Sequence, residues 1–183
     1  MGLSVKQLGV FKGMVAAMGL AVVVIAMGMM FDPFSLAQSE DLGSKFTVLG
    51  QSLILPVVFL IGCIARLARF RFFSPEDIDG SALSNASHEA SVLQSLLQNT
   101  LEQLLMTAMV YSIWVFTMPT AWLSVLPLCS LLFAIGRIAF FKGYAKGAPA
   151  RAFGFALTFY PSVLLMITIV IYQLAGLVGL SLS

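Results

Sequence analysis

Five long apolar runs, separated by polar segments, dominate the pattern along the chain. Each contains about 20 residues or more, the length that an α-helix needs to cross the hydrocarbon core of a bilayer. The runs extend over Gly13 to Phe31, Ser52 to Phe70, Ser91 or Leu96 to Phe116, Ala121 to Phe141, and about Ala150 to Leu180. The pattern therefore predicts five membrane-spanning helices and an all-α integral membrane protein.

The composition supports a membrane location. Hydrophobic residues make up 60% of the 183-residue chain and charged residues only 10%, whereas a soluble domain carries about 25% charged residues. The net charge of +2 does not indicate nucleic-acid binding, because the cations are not gathered into one stripe. Cys63 and Cys129 lie in apolar runs without CxxC spacing, as expected for small buried side chains rather than for a metal or redox site.

The Lys and Arg residues predict the orientation of the chain in the membrane. If Lys6 and Lys12 are cytoplasmic, five alternating spans place nine of the ten cations on that side, with Lys45 as the exception. The N-terminus is then cytoplasmic, in a bacterial inner membrane or, in a eukaryote, the endoplasmic reticulum. The sequon at Asn85 is cytoplasmic too, so glycosylation is not expected. The first run could alternatively be a secretory signal, but its length and the lack of a small-x-small cleavage site favour a retained helix.

A polar segment between the second and third runs predicts an early start for the third helix. Ser84 and Asn85 are good helix caps, so this helix is expected to begin before the membrane. His88, the only histidine, lies at this point. It is either a solvated residue or a catalytic base, and the base would require a partner that the sequence does not identify.

Polar residues continue into the third run. Ser95, Asn99 and Glu102 are spaced i, i+4, i+7 and therefore share one helix face. Two interpretations are open: an interfacial turn wetted by headgroups, or part of a site. A carboxylate at the depth of Glu102 requires a cation or several donors.

The basic segment Gly136 to Phe155 supplies cations on the same side of the membrane. Arg137, Tyr144 and Arg151 are seven residues apart, and Pro149 places Arg151 in the first turn of the fifth helix. A helix start with a guanidinium suits an anion and lowers the pKa of a nearby thiol. The alternative is that these cations only set topology, with snorkelling stems.

Two motifs together resemble the MAPEG family, the membrane-associated proteins of eicosanoid and glutathione metabolism. They are "NTLE", Asn99 to Glu102, and "GRIAFFKGYAKGAPARAFGF" at the next cytoplasmic turn. The resemblance covers about Leu49 to the C-terminus and implies a four-helix up-down bundle over residues 49–183. Residues 1–48 then form an additional N-terminal transmembrane helix and loop. Small residues spaced by four predict close packing of that helix: Gly9, Gly13, Ala17 and Ala21.

The resemblance also implies a function. Members are homotrimers with sites between subunits, where glutathione is the co-substrate for transferase or peroxidase chemistry on lipophilic electrophiles from the bilayer. By the residue match, Asn99 and Glu102 would bind the tripeptide, Glu102 facing its amino group, and Tyr144 would lie along it. Arg151 would stabilise the thiolate, and Arg137 would hold the site or the trimer together. The implied partners are further copies of the chain, membrane lipids and a lipophilic small molecule.

Three departures from the family pattern keep a second function open. Ser95 stands where glutathione-using members carry arginine, Phe140 where an aromatic hydroxyl is expected, and Gln103 where a tyrosine follows the motif glutamate. The losses at Ser95 and Phe140 favour the alternative of a non-catalytic lipid-binding protein with the same fold. A transporter has the least support, because inverted repeats are absent.

The resemblance further implies that one of three arginines would bind the carboxylates of glutathione: Arg66, Arg69 or Arg71.

Overall fold

The computed structural model describes residues 2–80 and 86–179, and most of these residues form α-helices. The helices are α1 Val5–Phe31, α2 Leu42–Phe73, α3 His88–Thr117, α4 Val125–Tyr144 and α5 Ala148–Leu177, with a 3-10 turn at Thr120–Trp122 before α4. The predicted all-α class is confirmed. Three predicted positions lie outside the described residues: Ser84, Asn85 and Leu180.

Several helices begin before their apolar runs because polar residues cap them. At the start of α1, the Ser4 hydroxyl accepts a hydrogen bond from the Gln7 N–H (3.3 Å), and Gln7 Oε1 accepts one from the Ser4 N–H (2.8 Å). This reciprocal capping satisfies two backbone donors that a helix start leaves unpaired. The start of α2 is capped by Asp41, whose carboxylate accepts from the Ser44 N–H at 3.0 Å. The sequence pattern marked the membrane part of these helices but not their polar extensions.

Within the described residues, four helical segments are long and apolar enough to span a membrane: α1, α2, Thr120–Tyr144 and α5. The helix α3 has 30 residues, but polar side chains in its first half lower its hydropathy. That α3 also crosses the membrane stays a prediction. The four apolar helices make the chain an integral membrane protein.

Helices α2 to α5 form a bundle, and α1 packs on its outside. The helix α2 contacts α3 and α4, while α5 contacts α4 and α3. The helix α1 contacts mainly α5, and also α4. Several of the most deeply buried large side chains lie around the turn from α3 to α4: Tyr111, Trp114, Leu123 and Leu126.

Glycines bring α4 and α5 unusually close together. A Cβ added at Gly154 would lie 2.7 Å from the carbonyl oxygen of Gly136 and 2.7 Å from Phe140 Cα. A Cβ at Gly143 would lie 2.9 Å from the backbone nitrogen of Arg151. Small residues allow such backbone contact between membrane helices, where lipid supplies no hydrophobic force for association. The junction fixes the end of α4 relative to the first turns of α5.

Small residues also dock α1 on α5. Ala17 and Ala21 are fully buried, and a Cβ at Gly13 would lie 3.0 Å from the backbone nitrogen of Phe153. A Cβ at Gly9 would lie 2.9 Å from Pro149 Cβ. These are the small residues, spaced by four, that were predicted from the sequence to pack closely on a neighbouring helix.

At its other end α1 is tied to the bundle by Asp32. The carboxylate accepts hydrogen bonds from the Leu36 and Ala37 N–H groups, both at 2.9 Å, and from the Ser124 hydroxyl just before α4. Burial raises the pKa of Asp32, but these hydrogen bonds outweigh it, so the pKa lies below its ordinary value. The helix outside the bundle is thus anchored near both ends.

A buried carboxylate organises the start of α3. Asp77 accepts hydrogen bonds from the Ser87 N–H (2.9 Å), the Ser87 hydroxyl (2.7 Å) and the Ser74 hydroxyl (2.9 Å). The Ser87 bonds are the main reason why the pKa of Asp77 is lowered, and the charge of Arg71 adds to the effect. Ser87 in turn caps α3. His88 is the exposed first residue of that helix, as its interpretation as a solvated residue requires.

Both cysteines are buried and free. Cys63 Sγ lies 3.6 Å from Thr100 Oγ1, which joins α2 to α3. Cys129 is part of the apolar core. Their surroundings agree with the prediction of small buried side chains.

Candidate functional site

A cavity of about 470 Å³ opens between α1, α3, α4 and α5, beside the α4–α5 turn. Its charged and polar side chains include Ser95, Asn99, Tyr144 and Arg151. Apolar and aromatic side chains form much of the remaining wall: Val10, Met14, Phe140, Phe155, Phe159 and Tyr160. Ligand sites are commonly of this size and combine an apolar lining with a few polar groups.

Arg151 is held against the ring of Tyr144 across the α4–α5 turn. The turn passes through Gly147, whose φ of 97° favours glycine, and α5 begins with Pro149 in its first turn. Arg151 Cζ then lies 4.6 Å from the centroid of the Tyr144 ring. A stacked guanidinium contacts the ring through its face, so its in-plane N–H donors are oriented for other partners. The two predicted residues therefore form one wall of the cavity.

Arg137 lies behind this wall and is completely buried. Its Nη1 donates to Asn99 Oδ1 at 2.8 Å, and its Nη2 donates to the Thr158 hydroxyl. Its guanidinium carbon is 4.7 Å from the centroid of the Phe140 ring. A buried cation with neutral hydrogen-bond partners is held by its surroundings and is not a mobile ligand group. Arg137 thus joins α4 to α3 and α5.

The bond from Arg137 also determines what Asn99 offers to the cavity. Because the amide oxygen of Asn99 accepts from Arg137, its NH₂ group remains as the donor side of the amide. The cavity therefore combines an amide donor with the guanidinium of Arg151, and both suit an anionic or carbonyl-bearing ligand.

Within one copy of the chain, Glu102 does not line the cavity that Asn99 and Arg151 share. Its side chain is exposed, and Oε1 accepts from Gln98 Nε2 at 2.9 Å. The next residue, Gln103, is buried, and its Oε1 has no hydrogen-bond partner among the described residues. The ligand role predicted for Glu102 stays a prediction.

Two of the three family departures lie on the cavity surface, and the third, Gln103, does not line it. Ser95 and Phe140 both line it, and the Ser95 hydroxyl donates to the carbonyl oxygen of Ser91 at 2.9 Å. At Ser95 the α3 wall therefore carries a hydroxyl where glutathione-using members are expected to carry a cation. The polar chemistry is concentrated at Asn99, Tyr144 and Arg151.

The arginines near the end of α2 belong to another surface. Arg66 and Arg69 are exposed and line a separate open cavity of about 640 Å³, together with Glu89. Arg71 Nη2 donates to Gln94 Oε1 at 3.1 Å. These arginines are not among the residues that line the first cavity.

Sequence reasoning missed several wall residues that a four-residue spacing could have identified. Arg151, Phe155 and Phe159 follow one another by four on α5, as do Val10 and Met14 on α1, and residues so spaced share a helix face. Thr158, the partner of Arg137, was also missed. No local pattern marks it, because its role depends on contact with α4.

Comparison with known proteins identifies the family of the chain. The MAPEG family model matches residues 46–171, which include most of α2 to α5 and leave α1 outside. No curated protein and no solved structure matches the chain. The matched region contains the predicted site residues Asn99, Glu102, Arg137, Tyr144 and Arg151, and it covers more than half of the chain. The chain therefore belongs to the MAPEG family.

Proposed function

We propose that the chain is a membrane-bound, glutathione-dependent transferase or peroxidase that acts on lipophilic electrophiles. One observation carries the proposal: Asn99, Tyr144 and Arg151 meet in one cavity whose remaining wall is largely apolar. A polar end suits an anionic thiol peptide, and the apolar wall suits a substrate that arrives from the bilayer. Membership of the MAPEG family supports this substrate pair.

The role of Arg151 follows from electrostatics. A guanidinium in the first turn of a helix adds its charge to the positive end of the helix dipole, and both lower the pKa of a nearby thiol. The thiol proton passes to solvent, the sulfur forms a bond to the electrophilic carbon, and the bond from that carbon to its leaving group breaks. In peroxidase chemistry, two thiols are oxidised to a disulfide while the peroxide is reduced to an alcohol and water.

The exposed residues favour a site completed by further copies of the chain. Glu102 is exposed beside the cavity-lining face of α3, and Ser95 supplies no charge for the carboxylates of glutathione. We propose a homotrimer in which Arg66 or Arg69 of a second copy binds the carboxylates of glutathione. Glu102 binds the amino group of the same tripeptide. We also propose that the N-terminus and the α4–α5 turn face the cytoplasm, a proposal that the distribution of cations supports.

The test is conjugation of glutathione to chlorodinitrobenzene by protein purified in detergent. We expect Arg151→Ala to lower kcat/KM by about tenfold or more, since hydrogen bonds to charged groups contribute about 1.5–3 kcal/mol. Lys146→Ala is the matched control, because it removes an exposed cation from the same turn and should leave the rate unchanged. Absence of glutathione binding and turnover, with no effect of Arg151→Ala, would overturn the proposal.

A second function is favoured by Ser95 and Phe140, which line the cavity and lack the arginine charge and the aromatic hydroxyl expected in glutathione-using members. A non-catalytic protein with this fold would use the cavity for a lipid. Native mass spectrometry of the purified protein distinguishes the two: a co-purified lipid without thiol chemistry supports this alternative, and bound glutathione contradicts it.

A further inference from the structure

The helix α1 supplies part of the cavity wall although it lies outside the family match. Val10 and Met14 line the cavity, whereas the family model begins at residue 46. These two side chains are therefore an addition of this chain to the site. Both side chains are apolar, so they add to the apolar side of the cavity.

This wall is firmly placed. A Cβ at Gly9 would lie 2.9 Å from Pro149 Cβ, and a Cβ at Gly13 would lie 3.4 Å from Ala152 Cβ. One turn further along, Ala17 is fully buried. Because Pro149 and Ala152 flank Arg151 in α5, the docking of α1 positions Met14 relative to the guanidinium.

A second cavity beside α1 adjoins the first, and it is separate from the one lined by Arg66 and Arg69. It has a volume of about 380 Å³ and is lined by Phe11, Met14, Val15, Met18, Gly19 and Tyr160. Met14 and Tyr160 line both cavities, so the two meet at these side chains. Apart from the tyrosine hydroxyl the second cavity has only hydrocarbon, thioether and glycine surface. At Gly19, an added Cβ would meet nothing within 4 Å, so there is room at its far end.

We propose that Met14 is a specificity-determining residue that sets how long a hydrocarbon chain the site accepts. The occupant is an unbranched alkyl chain attached to the ligand whose polar end lies at Arg151, so the inference rests on the proposed function. From Arg151 to Tyr160 the helix rises by about 14 Å, and from Met14 to Gly19 by about 8 Å. A short chain ends in the first cavity, and a long chain passes Met14 into the second. A methionine suits this boundary because its unbranched side chain with three rotatable bonds can move aside.

The test compares S-hexylglutathione with S-hexadecylglutathione as ligands of the full chain in lipid nanodiscs. We expect Gly19→Leu, which fills the second cavity, to lower the affinity ratio of the hexadecyl to the hexyl ligand by about tenfold or more. Met14→Ala, which widens the boundary, should change the ratio in the opposite direction. Gly50→Leu is the control. A side chain there also meets nothing within 4 Å, but it lies on α2, away from both cavities. The affinity ratio of this variant should equal that of the wild type.

The outcomes separate this inference from the proposed function. If the hexyl ligand binds and neither variant changes the ratio, Met14 does not determine specificity, and the proposed function stands. If no glutathione derivative binds, the proposed function fails, and hexanoate and hexadecanoate repeat the comparison. A lowered ratio in Gly19→Leu then still supports an alkyl chain at Met14, whereas an unchanged ratio, or no binding of either acid, overturns it.

Discussion

Gly154→Ala tests the close approach of α4 and α5 on which the cavity depends. The added methyl group would lie 2.7 Å from the carbonyl oxygen of Gly136 and closer still to the backbone of Phe140. These are main-chain atoms, which cannot move aside as a flexible side chain can. The helices must separate by about 1 Å before the contact reaches van der Waals distance.

The cost follows from this overlap. Overpacking of a well-packed contact costs about 1–3 kcal/mol, while the higher helix propensity of alanine offsets up to about 1 kcal/mol. We expect a net loss of about 2 kcal/mol in the free energy of unfolding, which lowers the apparent melting temperature in detergent by about 4–8 °C. Glutathione affinity should fall as well, because the same junction positions Tyr144 and Arg151.

The matched control lies on the same helix. A methyl group at Gly176 meets nothing within 4 Å. Gly176→Ala therefore gains only the higher helix propensity of alanine and should not lower the melting temperature. Both variants are measured by thermal denaturation under identical detergent conditions. If Gly154→Ala were as stable as Gly176→Ala and bound glutathione as well as the wild type, the backbone contact would not hold the site together.

Three further predictions concern charged groups. In Arg151→Ala the pKa of the bound thiol should rise, because the cation that stabilises the thiolate is gone; the pH–rate profile then moves to higher pH, and an unmoved profile would contradict the role. Arg137→Lys should lower the free energy of unfolding by about 1–3 kcal/mol, because a single nitrogen would replace the two guanidinium nitrogens that donate separately to Asn99 and Thr158. Equal melting temperatures would contradict this. The pKa of Asp77 is lowered on folding, so its stabilisation is present above the ordinary value of 3.8 and is lost as the pH falls through the folded pKa. The difference in melting temperature between wild type and Asp77→Asn should therefore shrink from about pH 5 downward, and a constant difference would oppose the assignment.

The sequence predicted much of this arrangement because period and composition carry it. The apolar runs located the helices, and Pro149 placed Arg151 in the first turn of α5. Spacing alone put Asn99 and Glu102 on one side of α3, but it could not show that only Asn99 lines the cavity. That distinction depends on which helices cover each turn of α3.

Contacts between distant segments were beyond the sequence. The small residues Gly136 and Gly154 are visible in it, but their contact depends on the crossing of two helices. The row that begins at Gly9 indicated that α1 packs closely on a neighbour without identifying α5. The place of Met14 at the site follows only from that docking.

The most direct test of the central claim is the thiolate difference absorbance on titration of the protein with glutathione near neutral pH. The account predicts a saturable thiolate signal in the wild type and in Lys146→Ala, and its loss in Arg151→Ala. The absence of a signal in the wild type, or an equal signal in Arg151→Ala, would contradict the claim that this cavity activates a thiol.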